Sequence, residues 1–385
     1  DSNYMKINES PLTYGEYRDK EYKNEECKYV VYTRADREKY GNDTPEPVNI
    51  LGDGCFSYCK ELSSIIILSS VRKIGKGCFK GCSSLSSVSI PSSVNEIGDQ
   101  CFFECQSLSA ITIPESVTVI GDGCFYGCKS LSFVTIPESV SVISDGLFCN
   151  CQSLTSISIP DCINTFGNDC FNGCTKLSLV AIPSSVTKFG DRCFNKCSSL
   201  SSISIPSSVC SMGEHCFCEC TRLSSVSLPY SISEISDYCF FACQSLSSIS
   251  IPSSVSVIGY CCFYGCKSLL SLTIPSSITE ISSWCFSEYS LTSISIPTSV
   301  EAFHERCFNG CLSLSSLSIP SSVTLIDKYC FSRCSSLSSI SIPSSVDKIG
   351  DGCFRGCNNL STITIPQHLE RRIDYLSIPS KCRIE

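Results

Sequence analysis

The sequence predicts a repeat solenoid of about fourteen stacked coils, and two observations carry that prediction. A block of about 23 residues, readable as L-x-x-[VI]-x-I-P-x-x-V-x-x-I-G-x-x-C-F-x-x-C-x-S-L, recurs from Asn49 to Pro366 and fills most of the 385-residue chain. Its Cys-Phe pair keeps phase at Cys55, Cys78, Cys101, Cys124, Cys170, Cys193, Cys216, Cys239, Cys262, Cys285, Cys307, Cys330 and Cys353, with Leu147-Phe148 filling the one gap. A fixed period of this length marks a repeat architecture, in which each unit buries its apolar face only against its neighbours. One residue is missing from the period between Cys285 and Cys307.

Residues 1–48 form a different unit. They carry 11 acidic and 8 basic side chains and seven tyrosines, against 23 acidic and 17 basic ones over residues 49–366. A solenoid needs a polar cover on its terminal coil, so this segment is expected to cap the stack. Asn42 to Pro47 read as a turn-rich junction. Residues 367–385 are expected to cap the other end.

Within a repeat, Val88 and Ile90 alternate with Ser87 and Ser89, the period-2 pattern of a strand with one buried face. Pro91 then ends the strand, because proline has no amide hydrogen for the ladder. Proline fills this column in 13 of the 14 copies, Leu68 being the exception, so the chain corners there in every coil. Val94 and Ile97 turn back inward, and Gly98 gives the backbone freedom for the next bend. Because Ser144, Ser236, Ser282, His304 and Asp327 replace that glycine elsewhere, a positive φ is not expected to be obligatory there. Cys101, Phe102 and Cys105 close the coil as an apolar turn too short to be an independent helix. At roughly 4.8 Å between strands, fourteen coils would extend for about 65 Å.

The motif formed by these residues, L-x-x-I-x-I-P-x-x-V-x-x-I-G-x-x-[AC]-F-x-x-C, resembles the BspA-like class of leucine-rich-repeat proteins, known from bacterial surface antigens and from anaerobic protists. The resemblance covers about four-fifths of the chain. It implies a curved solenoid with a parallel sheet on the concave side and short turns, 3-10 or helical turns on the convex side. It also implies a surface-associated role in adhesion or recognition, without naming a ligand. The chain departs from the common pattern in its near-universal Cys before Phe, where alanine is more usual.

Thirty-three cysteines in 385 residues would suggest a disulfide scaffold in a short secreted chain. Here 26 of them fall in two repeat columns spaced C-x-x-x-C, beside Phe and Leu, where a free thiol packs as a small hydrophobe. Two ladders of mostly reduced core thiols are therefore expected. Leu147 in place of the first cysteine and Tyr289 in place of the second fit packing better than pairing. Cross-coil disulfides and fused thiolate metal sites are the competing readings. Cys27, Cys162, Cys210, Cys218, Cys261 and Cys382 lie outside the columns and are the candidates for cap disulfides or exposed reactive thiols.

The composition excludes several functions. Net charge is −8 and no basic stripe occurs, so nucleic acid has no electrostatic footprint. No apolar run reaches the length of a membrane span. The chain opens at Asp1-Ser2-Asn3-Tyr4 without a signal peptide, as a processed end, a trimmed chain or a fragment would. His215, His304 and His368 sit in different coils or at the end, and no nucleophile elbow, zinc-protease helix, P-loop or dinucleotide fingerprint is present. No enzyme activity, cofactor or metal is expected.

The solvent-facing strand positions are nearly all Ser or Thr, giving a hydroxyl-lined face with little charge. Phe133 and Leu179 interrupt it and are candidate ligand contacts, since binding energy concentrates on such anchors. Tyr238, Phe241, Tyr260, Tyr264, Trp284 and Tyr289 gather around the Cys-Phe turn of successive coils. They form either lateral packing between coils or a second recognition patch. Asn8, Asn42 and Asn359 begin N-x-S/T triplets, which matter only in a secretory compartment. The sequence thus points to a recognition or adhesion protein at the cell surface or outside the cell, with a protein or glycan partner. Self-association into filaments or matrix, and an intracellular (cytoplasmic) interaction scaffold, are the alternatives.

Overall fold

The computed structural model describes residues 11–19, 29–288 and 290–385. Its contacts group into two compact units, Asp1–Ser185 and Val186–Glu385. Six of the fourteen Cys-Phe turns lie in the first unit and eight in the second.

In the first unit the predicted strand is present. Ser64–Ile66, Ser87–Ser89, Ala110–Thr112 and Phe133–Thr135 form one parallel ladder, in register residue by residue. Val88 is buried while Ser87 and Ser89 face solvent, as the alternation requires. At the corner the Val94 N–H donates to the Pro91 carbonyl at 3.0 Å, and Val117 and Pro114 repeat the bond. The chain then enters a second parallel ladder of two-residue strands, Ile50–Leu51, Lys73–Ile74, Glu96–Ile97 and Val119–Ile120. Val142–Ile143 and Thr165–Phe166 pair likewise.

The N-terminal segment is built on that second ladder. Leu12–Thr13 and Val30–Tyr32 pair in parallel and extend it past Ile50–Leu51. Two short helices flank them, Tyr14–Asp19 and Arg34–Tyr40. The second begins in a capping box, in which the Thr33 hydroxyl accepts from the Asp36 N–H and the Asp36 carboxylate accepts from the Thr33 N–H.

The cysteine segment consists of turns. Over residues 49–366 no described residue is helical. Alternate N–H groups point in different directions. Those of Gly77, Phe79 and Gly81 donate to the carbonyls of Asp99, Cys101 and Phe103 in the next coil, at 2.7–2.9 Å. Those of Cys78, Lys80 and Cys82 stay within the coil, donating to Gly75, Gly77 and Phe79. The residue before each of the two cysteine columns is left-handed, as at Gly77 (φ 57°), Gly81 (φ 70°), Gln100 (φ 52°) and Glu104 (φ 56°). The bend therefore takes its positive φ here and not in the Gly98 column. Gly98 is required by proximity instead: a Cβ there would stand 2.7 Å from the Lys76 nitrogen. At Ser144 the hydroxyl adapts by donating to the Ile120 carbonyl one coil back.

The second unit repeats this plan. Its long strands include Ser225–Ser227 paired with Ser248–Ser250, and Ser339–Ser341 paired with Thr362–Thr364 and Arg383–Ile384. Its short strands include Glu280–Ile281, Ala302–Phe303, Leu325–Ile326 and Lys348–Ile349. The shortened repeat keeps register through its turn, with Trp284, Phe286 and Glu288 donating to Glu305, Cys307 and Asn309 at 2.8–3.0 Å. In the final coil a 3-10 helix, Gln367–Tyr375, takes the place of the short strand.

Each unit is built on a file of phenylalanines. From Phe56 to Phe171, successive rings lie 5.2–5.8 Å apart and within 14° of parallel. From Phe194 to Phe354 the spacing is 5.4–5.9 Å and the tilt at most 19°. Offset stacking at this spacing adds to the burial of each ring. Val, Ile and Leu of both ladders fill the remaining interior.

Among the described residues no cysteine is joined in a disulfide. In the second column the sulfur donates to a phenylalanine carbonyl of the preceding coil, as Cys82 to Phe56, Cys105 to Phe79, Cys243 to Phe217 and Cys357 to Phe331, at 3.0–3.1 Å. This column thus satisfies a carbonyl as well as filling volume. Burial pushes the Cys82 and Cys357 thiols up to about 12. Two off-column cysteines differ from the expectation of exposed or cap thiols: Cys218 and Cys261 are buried, Cys261 against the Tyr238 and Tyr260 side chains. Cys210 is exposed, and Cys27 lies outside the described residues.

Candidate functional site

The long ladder of the first unit presents the hydroxyl face the sequence describes. Ser87, Ser89, Thr112, Thr135, Ser156 and Ser158 all face solvent. Phe133 stands on this face with 52% of its surface exposed and Leu179 with 63%. They occupy the same column two coils apart, about 10 Å, with Ser156 between them. Ala110, in register beside Phe133, is also small and exposed. Sequence reasoning missed Ile66, which is 81% exposed in the next strand column. It was hidden in the run Ile65-Ile66-Ile67-Leu68, where alternation gives no contrast.

One edge of this face is acidic. Immediately past the proline corner, Glu115, Glu138 and Asp161 occupy one column in three consecutive coils and are exposed. The Glu138 backbone N–H donates to the Glu115 carboxylate at 3.2 Å, which ties the Glu115 side chain to the next coil. A second acidic column follows the short strands, at Asp99, Asp122 and Asp145. Burial, then the charges of Asp145 and Asp99, raise the Asp122 carboxyl above its ordinary range. Lys73 pairs with Glu96 at 2.7 Å and Lys76 with Asp99 at 3.5 Å, both partly exposed.

In the second unit the aromatic group does assemble. Phe241 stacks on Tyr264 at 4.9 Å, Tyr238 meets Tyr260 edge-on at 5.2 Å, and Tyr264 tilts against Trp284 at 6.2 Å. Tyr289 lies outside the described residues. Three members went unrecognised in the sequence. His215 stacks on Tyr238 at 4.4 Å, and the Arg306 guanidinium lies over both Trp284 (4.7 Å) and Tyr329 (4.6 Å). Their signal is positional, since His215, Tyr238, Trp284, Arg306 and Tyr329 all immediately precede a first-column cysteine. Tyr238, Phe241, Tyr264 and Trp284 are half-buried beside one another, while Tyr260 is more exposed, so lateral packing covers part of each ring. The same columns pair in the first unit, where Phe103 stacks on Tyr126 at 4.7 Å under Lys80.

The histidines have local roles. His304 faces Glu280 at 2.9 Å, and the His368 ring lies 2.8 Å from the Val346 carbonyl, at the place held by a serine in other coils. Among the described residues no cluster of His, Cys, Asp and Glu is arranged to hold a metal ion. No helix among them is long and apolar enough to cross a membrane. Open grooves include one of about 580 Å³ beside Arg34, Arg37 and Lys60, and one of about 440 Å³ over Ser339, Ser341, Thr362 and Thr364.

The family model of the BspA-type leucine-rich-repeat region matches residues 43–155, 141–270 and 257–376, in six copies. A leucine-rich repeat protein from Bacteroides ovatus is similar, with 28% identity, a TM-score of 0.56, and 88% of this chain and 87% of that one covered. So is a leucine-rich cell surface protein from Faecalibacterium prausnitzii, with 29% identity, a TM-score of 0.53 and 87% of each chain covered. A search of curated proteins finds no match.

Proposed function

Since the chain belongs to the BspA-type leucine-rich-repeat family, we propose that it is a non-enzymatic recognition or adhesion protein that presents its strand face to a protein or glycan at the cell surface. One observation carries the reading. Phe133 and Leu179 stand exposed where most other coils place a hydroxyl, and no stability is gained by leaving such side chains in water. The surface location is supported by the F. prausnitzii relative, itself described as a cell surface protein. A repeat family that is generally non-catalytic supports the absence of a reaction.

The test is binding of the intact chain to arrays of extracellular proteins and of glycans, with Phe133→Ser and Leu179→Ser beside the parent. Both serines recreate the residue that other coils carry in that column. Loss of the captured partner in both folded variants is the expected result. Binding that survives both substitutions removes the strand face as the contact surface.

A further inference from the structure

We infer that the strand face around Phe133 takes a basic partner, a protein segment in which an apolar side chain is flanked by lysines or arginines. This rests on the recognition reading above and narrows it to one chemistry. The charge distribution carries it. Residues 81–175 hold nine carboxylates against a single base, Lys129, a net charge of −8 that equals the net charge of the whole chain. These are the coils that bear Phe133.

The post-proline column makes the point position by position. In the fourteen copies it reads Ser69, Ser92, Glu115, Glu138, Asp161, Ser184, Ser207, Tyr230, Ser253, Ser276, Thr298, Ser321, Ser344 and Gln367. Carboxylates appear only in three consecutive coils, where stacking brings like charges together at the coil spacing of about 4.8 Å. Glu115, Glu138 and Asp161 form no ion pair among the described residues, although bases are available to Glu96 and Asp99 one and two coils earlier. The fold does not need acids here, since serine serves elsewhere.

The two features are adjacent. Glu138 follows Phe133 by five residues, with only the end of the strand and the Pro137 corner between them. An exposed aromatic ring on a hydroxyl floor, edged by carboxylates that no described base pairs with, is complementary to an apolar side chain neighboured by cations. Charge of this kind selects the partner and speeds its arrival, while the buried anchor holds it.

The experiment is calorimetric titration of the intact chain with three short synthetic peptides: alternating Lys and Leu, alternating Lys and Ser, and alternating Glu and Leu. The Lys/Leu peptide is expected to bind most tightly, to weaken as salt rises, and to lose about tenfold or more in the triple variant Glu115→Ser, Glu138→Ser, Asp161→Ser. Circular dichroism confirms that this variant is folded. Phe133→Ser is expected to weaken the Lys/Leu peptide toward the level of Lys/Ser. Equal binding of Lys/Leu by the parent and the triple variant overturns the inference, as does Lys/Ser binding as tightly as Lys/Leu, which is polyelectrolyte attraction only. If array binding is lost in Phe133→Ser but kept in the triple variant, the strand face recognises something other than a basic segment, and the recognition reading stands without this inference. If array binding survives in Phe133→Ser and in Leu179→Ser as well, both fail.

Discussion

The strand face of the first unit and the cysteine turns of the second both carry large apolar side chains at the surface, with opposite consequences. Around the turns, Phe241 rests on Tyr264, Tyr238 on His215, and Trp284 under Arg306, so each ring covers part of another. On the strand face Phe133 has Ala110 on one side and Leu179 lies two coils away, so neither covers the other. The difference arises from the columns. A column just before or after the Cys-Phe pair can be filled with rings in consecutive coils, and a coil spacing near 4.8 Å suits their stacking. A column otherwise filled with serine cannot do this. An exposed ring is therefore a sign of recognition only where its neighbours in the stack are small.

The largest perturbation should act on the interior, which is made of the same columns in each unit. Burial keeps thiols such as Cys82 and Cys357 protonated in the fold, each raised from 9.0 to about 12, while an unfolded chain ionises near the ordinary value. Above pH of about 9 the unfolded state therefore binds fewer protons than the native state, and stability falls with pH. It is fully present below that point and is lost as pH rises towards about 12. Denaturant midpoints measured across this range should drop steeply, and a flat profile would contradict buried, protonated ladders. Next in size, Phe125→Ala should cost about 3–5 kcal/mol by opening the phenylalanine file, read from the same unfolding curves.

Smaller effects separate the two regions. Trp284→Ala should cost about 1–2 kcal/mol, since it removes the contact with Tyr264 and the face presented to Arg306. If it leaves stability untouched, the turn aromatics are not packing and the contrast with Phe133 disappears. Phe133→Ser should change stability by less than about 0.5 kcal/mol, as expected for a surface position without partners. A larger loss would mean that Phe133 is a structural residue.

Much of this was legible in the sequence, and the parts that were not share a physical cause. Alternation marked the long strands because Val88 and Ile90 are apolar between serines. The short ladder was invisible as strand, since a two-residue element such as Glu96–Ile97 has no room for a period. The left-handed positions were obscured because glycine fills them only in some copies: Gly54, Gly77, Gly123, Gly146 and Gly352 before the first cysteine, but Tyr238, Cys261 and Trp284 elsewhere. The more regular Gly98 column drew attention instead, though its constraint is the nearness of another coil. For the candidate site, the exposed position of Phe133 followed from register alone. Mutual coverage among the turn aromatics was one of two readings that the sequence left open, because ring stacking depends on which side of the coil the columns share.

The hydrogen bonds that join coils within each unit reach back or forward by nearly one repeat: 22 residues from Ser93 to Val71 and from Gly77 to Asp99, 26 from Cys82 to Phe56. This gives the gene a simple grammar. Excising or copying one whole repeat leaves each donor opposite the same kind of acceptor it had before, so slipped replication can lengthen or shorten such a chain and leave its folding rules intact. A cut of any other length throws the three ladders out of step together, unless the slack falls between the cysteine turn and the next strand. The one short repeat in this chain, following Glu288, lies there.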